Sequence, residues 1–164
     1  MRSNALHLAV AACLLLAGCS AAAPSTDQPT TPTDTTTQEP CRTIDYEPKP
    51  LPDPPANLTA ERAASFTAAY ENATVWNENA PEADHALRVS TEASVVNRTD
   101  TGFVVHVSGG GSYAACHGEA EAVADMFLHT NYFVNETTVV RLTHPENKTD
   151  DPRRHGGEVL TGSG

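Results

Sequence analysis

The chain has 164 residues, enough for one small domain with linkers and no more. Ten Lys and Arg against 21 Asp and Glu give a formal net charge of −11. A surface this acidic repels nucleic acid and anionic head groups, and the isolated pair Arg153-Arg154 sits among acids, so nucleic acid is excluded as a partner.

Residues 1–18 read as a signal peptide. Arg2 is followed by the apolar run Ala5 to Leu16, too short for a comfortable membrane span. No twin-arginine pair precedes the run, which disfavours export in the folded state. Small residues then lead to Cys19. The order Leu16-Ala17-Gly18-Cys19 resembles the lipobox of prokaryotic lipoproteins. The resemblance implies cleavage before Cys19, a lipid on its thiol and retention on the outer face of the cell membrane. Without residues 1–18 the charge becomes −11 − 1 = −12, because only Arg2 is lost. Acid-rich, Lys-poor, Thr-rich composition behind such a motif looks like the small cell-surface lipoproteins of haloarchaea, whose acidic surfaces stay hydrated in high salt.

Residues 19–40 are Ala, Ser, Thr, Pro, Asp and Gln with almost no large apolar side chain. Such a segment buries too little to offset its ordering entropy and is expected to be a disordered tether. Residues 41–56 alternate proline with other residues from Pro48 to Pro55, a pattern that favours an extended lead-in and bars a helix.

The expected folded domain spans residues 57–145. Thr59 is placed to cap a helix, with Glu61 in the first turn and Leu58 placed for a hydrophobic staple. Ala63, Phe66, Ala69, Tyr70, Ala73 and Trp76 follow helical spacing, which predicts one apolar arc with Tyr70 and Trp76 in the core. The helix should end near residues 77–79, before Pro81.

From Leu87 the period changes to two. Val89, Thr91, Ala93 and Val95 alternate with polar residues, and Phe103, Val105 and Val107 repeat the pattern beyond a turn at residues 97–102. Gly109-Gly110-Gly111 reads as a break and a flexible connection, lacking the lysine and spacing of a phosphate loop. Residues 119–125 are compatible with a short helix or the start of a strand. Met126, Leu128, Tyr132 and Val134 share one parity and predict a third strand; Thr138 to Leu142 predict a fourth, and residues 146–164 a polar flexible tail. The expectation is an α+β domain with one N-terminal helix packed on a curved antiparallel meander of about four strands. Cystatin-like and nuclear-transport-factor-like domains share that outline, a likeness of fold that carries no function.

Chemistry-bearing residues are sparse. Asn57, Asn72, Asn97, Asn135 and Asn147 each open an Asn-X-Thr sequon, four of them in predicted turns and Asn72 off the helix arc, so glycosylation is expected at some. Cys41 and Cys116 are the cysteines that remain once Cys13 is removed and Cys19 lipidated, and outside the cell they are expected to pair. Closing so long a loop is worth up to about 4 kcal/mol. Cys116 and His117 point to opposite faces of a strand and make a poor catalytic pair. His85, His106, His117, His129, His144 and His155 show no zinc-ligand spacing, and the acids form no calcium loop, so neither metal nor cofactor is expected. No nucleotide fingerprint, serine elbow or defensible carboxylate pair is present. The best reading is a non-enzymatic module, held to the membrane through Cys19, that meets an envelope protein or a small solute. The alternative is a small hydrolase or isomerase with a pocket between helix and sheet, where His106, His129 and an acid would converge. Filling of that pocket by Phe66, Tyr70 and Trp76 would remove the alternative's ground.

Overall fold

The computed structural model describes residues 41–118, 120–144 and 146–160; the signal segment, Cys19, the tether of residues 19–40 and residues 161–164 lie outside them. Helix α1 (Ala60–Asn79) begins where the sequence predicts. Thr59 holds extended backbone, and its Oγ1 accepts a hydrogen bond from the Arg62 amide at 3.2 Å. The last turn closes with the Ala80 amide donating to the Trp76 carbonyl, and Pro81 prevents continuation.

Five antiparallel strands follow in simple order: β1 (His85–Thr99), β2 (Gly102–His117), β3 (Ala120–Val134), β4 (Val139–Thr143) and β5 (Glu158–Leu160). Each pairs with the next, so the sheet is a curled meander with the helix laid over β1 and β2. The register between β2 and β3 runs unbroken from Phe103 opposite Val134 to His117 opposite Ala120. Side chains therefore alternate between two faces along the whole ribbon. Phe103, Val105, Val107, Tyr132 and Val134 face the helix and pack with Ala63 and Phe66. Val104, Phe133 and Val140 form a smaller cluster on the outer face.

Two expectations about the sheet change, and one open alternative is decided. The glycine triplet does not break β2; it sits in mid-strand, paired with Ser90, Thr91 and Val89 of β1 and with Met126, Phe127 and Leu128 of β3. A Cβ at Gly109 or Gly111 would run into the Ser90 or Arg88 carbonyl, so these positions permit a close approach of backbones rather than a bend. Residues 120–125 belong to β3 from its start. The sheet also has a fifth strand, supplied by the segment expected to be a tail. That segment crosses the outer face through a 3-10 turn (Pro152–Arg154), burying Pro152 and setting the Arg153 guanidinium 3.7 Å from the centre of the Phe133 ring. The composition of residues 146–160 is polar because it covers the sheet with a guanidinium plane and a proline instead of aliphatic side chains.

The helix arc is wider than predicted. Thr67, Glu71 and Val75, spaced four apart, are buried together with Ala63, Phe66 and Ala73, whereas Ala69 is exposed. Tyr70 is half-buried against Phe66 and Tyr132. Trp76 leaves the sheet altogether. Its indole N–H donates to the Glu47 carbonyl at 3.0 Å, its ring meets Tyr46 edge-on, and Lys49 Nζ lies 4.0 Å from the ring centre. The proline-rich lead-in thus lies along the second half of the helix, and Trp76 is what it rests on.

Candidate functional site

The interface between helix and sheet contains an ion pair in place of a pocket. Glu71 is 1 % exposed, and Arg141 of β4 grips it with two hydrogen bonds of 2.9 Å, Nε to Oε2 and Nη2 to Oε1. Thr130 Oγ1 donates to Oε1 at 2.9 Å, and the Tyr132 hydroxyl donates to Oε2. Burial alone would raise the Glu71 pKa; the bonds from Arg141, Tyr132 and Thr130, with the guanidinium charge, outweigh it and hold the carboxyl below its ordinary value. Burial and the adjoining carboxylate push the Tyr132 phenol far above its ordinary value. Every strong donor facing Glu71 is spent on it, so the group ties α1 to β3 and β4 and presents no free valence.

The histidines proposed to converge in such a pocket lie elsewhere. His106 pairs with Asn131, and His129 follows one step along β3, both on the face turned away from the helix. Their rings stack at a centroid distance of 6.0 Å. Asn131 Nδ2 donates to the Lys148 carbonyl at 2.8 Å, which turns its Oδ1 toward His106 Nδ1, also at 2.8 Å. His106 Nδ1 is therefore the donor to Asn131 Oδ1. Among the described residues, His106 Nε2, His129 Nδ1 and His144 Nε2 are buried without a hydrogen-bond partner. His144 Nε2 lies 3.8 Å from Asp150 Oδ2. Further along the same face of β3 stand Val123, 66 % exposed, and Phe127, 87 % exposed, over the small residues Ala114 and Gly110 of β2. Among the described residues, shallow grooves at the helix start and beside the lead-in are not lined by a histidine.

Three sequons gather at one end of the domain. The groove at the helix start is lined by Leu58 and Thr59, by Arg98 and Thr99, and by Asn135, Glu136 and Thr137. These belong to the sequons opened by Asn57, Asn97 and Asn135, brought together by the helix start, the β1–β2 turn and the β3–β4 turn. Asn57 and Asn97 are exposed, and Asn135 spends only its Oδ1, on the Thr137 and Thr138 amides. Asn147 is exposed on the segment crossing the outer face. Asn72 differs from the expectation that it stands clear. Its Nδ2, the atom a glycan would occupy, donates to the Val89 carbonyl at 3.0 Å, and its Oδ1 accepts from Lys49 Nζ.

No family model, curated protein or solved structure matches this chain.

The opposite end holds the cysteines. Cys41 and Cys116 form a disulfide with their Cα atoms 5.9 Å apart. Cys116 is the penultimate residue of β2 and not part of a loop. Asp84 stitches the same corner: its Oδ2 accepts from the Cys116 amide at 2.6 Å, its Oδ1 from the Thr43 hydroxyl, and its carbonyl from the Ile44 amide. The bond from the Cys116 amide is the main cause that lowers the Asp84 pKa. His85 enters this corner because β1 is irregular between His85 and Arg88, where Ala86 adopts φ +57°. Sequence spacing gave no sign of that convergence; only the pairing of His85 with Ala114, two residues before Cys116, reveals it.

Proposed function

We propose that the chain is an exported lipoprotein, held to the outer face of the cell membrane through Cys19, whose domain is a non-enzymatic binding module for an envelope protein. The polarity of the domain carries this reading. The lead-in enters at the disulfide end, and three sequons gather at the other end of β2. Between Gly102 and Cys116 an extended strand covers about 45 Å. A tether arriving at Cys41 would hold the disulfide end toward the membrane and the glycan acceptors away from it. Behind the Leu16-Ala17-Gly18-Cys19 motif and the Thr- and Pro-rich tether, that is the orientation a displayed domain needs.

The binding role is supported by the outer sheet face, where Phe127 and Val123 stand uncovered. The place where a catalytic pocket was sought, between helix and sheet, is filled by Phe66, Tyr70 and the Glu71–Arg141 pair. Among the described residues no helix is long and apolar enough to cross a membrane. The acidic balance and scarce lysine fit a haloarchaeal surface.

Labelling cells with a lipid precursor tests the anchor. The wild-type chain should take up label and stay with membranes, and Cys19→Ser should lose both; membrane retention unchanged in the variant overturns the reading. For the binding role, a photo-crosslinking residue placed at position 127 should capture one envelope protein, whereas the same residue at Glu92, exposed on β1, should not.

A further inference from the structure

We propose that reduction of the Cys41–Cys116 disulfide turns this corner of the domain into a zinc site, with Cys41 Sγ, Cys116 Sγ, His85 Nε2 and a Glu121 carboxylate oxygen as ligands. The first three atoms lie within 4.8 Å of one another. Cys41 Sγ is 3.7 Å from His85 Nε2, and Glu121 Oε2 is 3.1 Å from the same nitrogen. With zinc–sulfur bonds of about 2.3 Å and zinc–nitrogen or –oxygen bonds of about 2.0 Å, the edges of a tetrahedron run from about 3.3 to 3.8 Å. Both measured edges therefore already stand near tetrahedral values; the two sulfurs must separate, from bonding distance to about 3.8 Å, and the Glu121 side chain, 47 % exposed, must swing toward them.

The ligands come from four elements, the lead-in, β1, β2 and β3, that other contacts hold together. Cys41 belongs to the lead-in, which is pinned by the Ile44 amide on the Asp84 carbonyl at 2.6 Å and by Tyr46, whose hydroxyl accepts from the Leu87 amide at 3.1 Å. Cys116 is pinned by its amide on Asp84 Oδ2, and Glu121 sits directly opposite Cys116 in the β2–β3 ladder. His85 follows Asp84 in the chain. None of these contacts needs the sulfur–sulfur bond, so the thiols remain neighbours when it is cut. Two thiolates with one imidazole and one carboxylate is a ligand set for zinc or a similar thiolate-seeking cation, and not for calcium or magnesium.

The chemistry balances in two steps. A dithiol reductant gives two electrons and two protons to the disulfide, leaving two thiols and its own disulfide. Zinc then displaces both thiol protons to solvent and takes the lone pair of neutral His85, so that a covalent cross-link is exchanged for a coordinate one at the same place. The corner thus keeps the lead-in attached in either redox state, and the proposal is independent of the membrane anchor.

The test uses the full chain with Cys13→Ser and Cys19→Ser, which leaves Cys41 and Cys116 as its only thiols. The chain is reduced with a phosphine, freed of reductant under nitrogen, and titrated with cobalt(II) as a spectroscopic stand-in for zinc. The expected result is one cobalt per chain, with a thiolate-to-cobalt charge-transfer band and the visible bands of a tetrahedral ion, displaced by zinc. The oxidised chain should take up none. His85→Ala and Glu121→Gln should each weaken binding by about 10-fold or more. In parallel, zinc should protect Cys41 and Cys116 of the reduced chain from alkylation, read by mass spectrometry on peptides. Absence of a one-to-one complex in the reduced chain overturns the proposal, whether the thiols part or the domain unfolds. Equal affinity in the His85→Ala chain overturns the assignment as well, because two thiolates alone would then account for binding.

Discussion

The two faces of the β2–β3 ribbon are built from the same two strands in one unbroken register, yet they are finished in opposite ways. On the face under the helix the buried carboxylate of Glu71 is fully answered, by Arg141, Tyr132 and Thr130. The outer face is answered only in part. Residues 146–157 cover Phe133 and Val140 and reach Asn131 and His144, whereas Phe127 and Val123 stand uncovered. The difference separates residues that make the fold from residues free to meet something else.

The sharpest way to break this contrast is at Glu71. Glu71→Ala leaves the Arg141 guanidinium, the Tyr132 phenol and the Thr130 hydroxyl facing each other without their acceptor, and should cost about 3–5 kcal/mol in urea unfolding. A loss under about 1 kcal/mol would mean that water reaches this interface. Acid makes the same cut reversibly. Because the folded carboxyl titrates below its ordinary value of 4.5, its contribution is complete above that pH and disappears as the pH falls through the lower folded value. Melting temperature followed through this window should drop in the wild-type chain and drop less in Glu71→Gln, which has no charge to lose there.

Smaller effects are expected at the close approach of β1 and β2. Gly111→Ala drives a methyl group toward the Arg88 carbonyl and the Met126 side chain, and should destabilise by about 1–3 kcal/mol, with calorimetry as the check. Least of all is expected on the outer face. Phe127→Ser should change the free energy of unfolding by no more than about 0.5 kcal/mol, because the ring is 87 % exposed, while abolishing capture of an envelope protein by a photo-crosslinking residue placed at position 123. A large loss of stability there would show that Phe127 belongs to the core.

How much of this was legible in the sequence depends on how local the cause is. Thr59 as a cap and the parity of Val89, Thr91, Ala93 and Val95 depend on neighbours a few residues away, and both stand in the structure where periodicity puts them. The pairing of Cys41 with Cys116 was reached by counting. Glu71 was passed over because an arc drawn from apolar residues skips a carboxylate, and its partner lies 70 positions on. The glycine triplet misled for a related reason: glycine marks either a flexible joint or a tight crossing, and only the carbonyls of β1 decide between them. Trp76 was assigned to the sheet because no periodicity reports that a proline-rich lead-in folds back along the helix. The fifth strand was missed because Glu158-Val159-Leu160 is three residues long and earns its place by pairing with β4 alone.

The disulfide also decides how the domain would respond to being pulled. Tension arriving from the N-terminal side reaches Cys41 and passes through the sulfurs into Cys116, at the end of a strand flanked by β1 and β3. Residues 42–115, between the two cysteines, with most of the lead-in, the helix, β1 and nearly all of β2, are bypassed by the covalent path of the force and feel it only through the sheet. Drag on the domain would therefore shear the long β1–β2–β3 ladders lengthwise, many hydrogen bonds at once, and would not peel the helix from its end. Cutting the disulfide reroutes the same force through residues 42–58, where the contacts of Tyr46 and Lys49 with Trp76 would be the first to give.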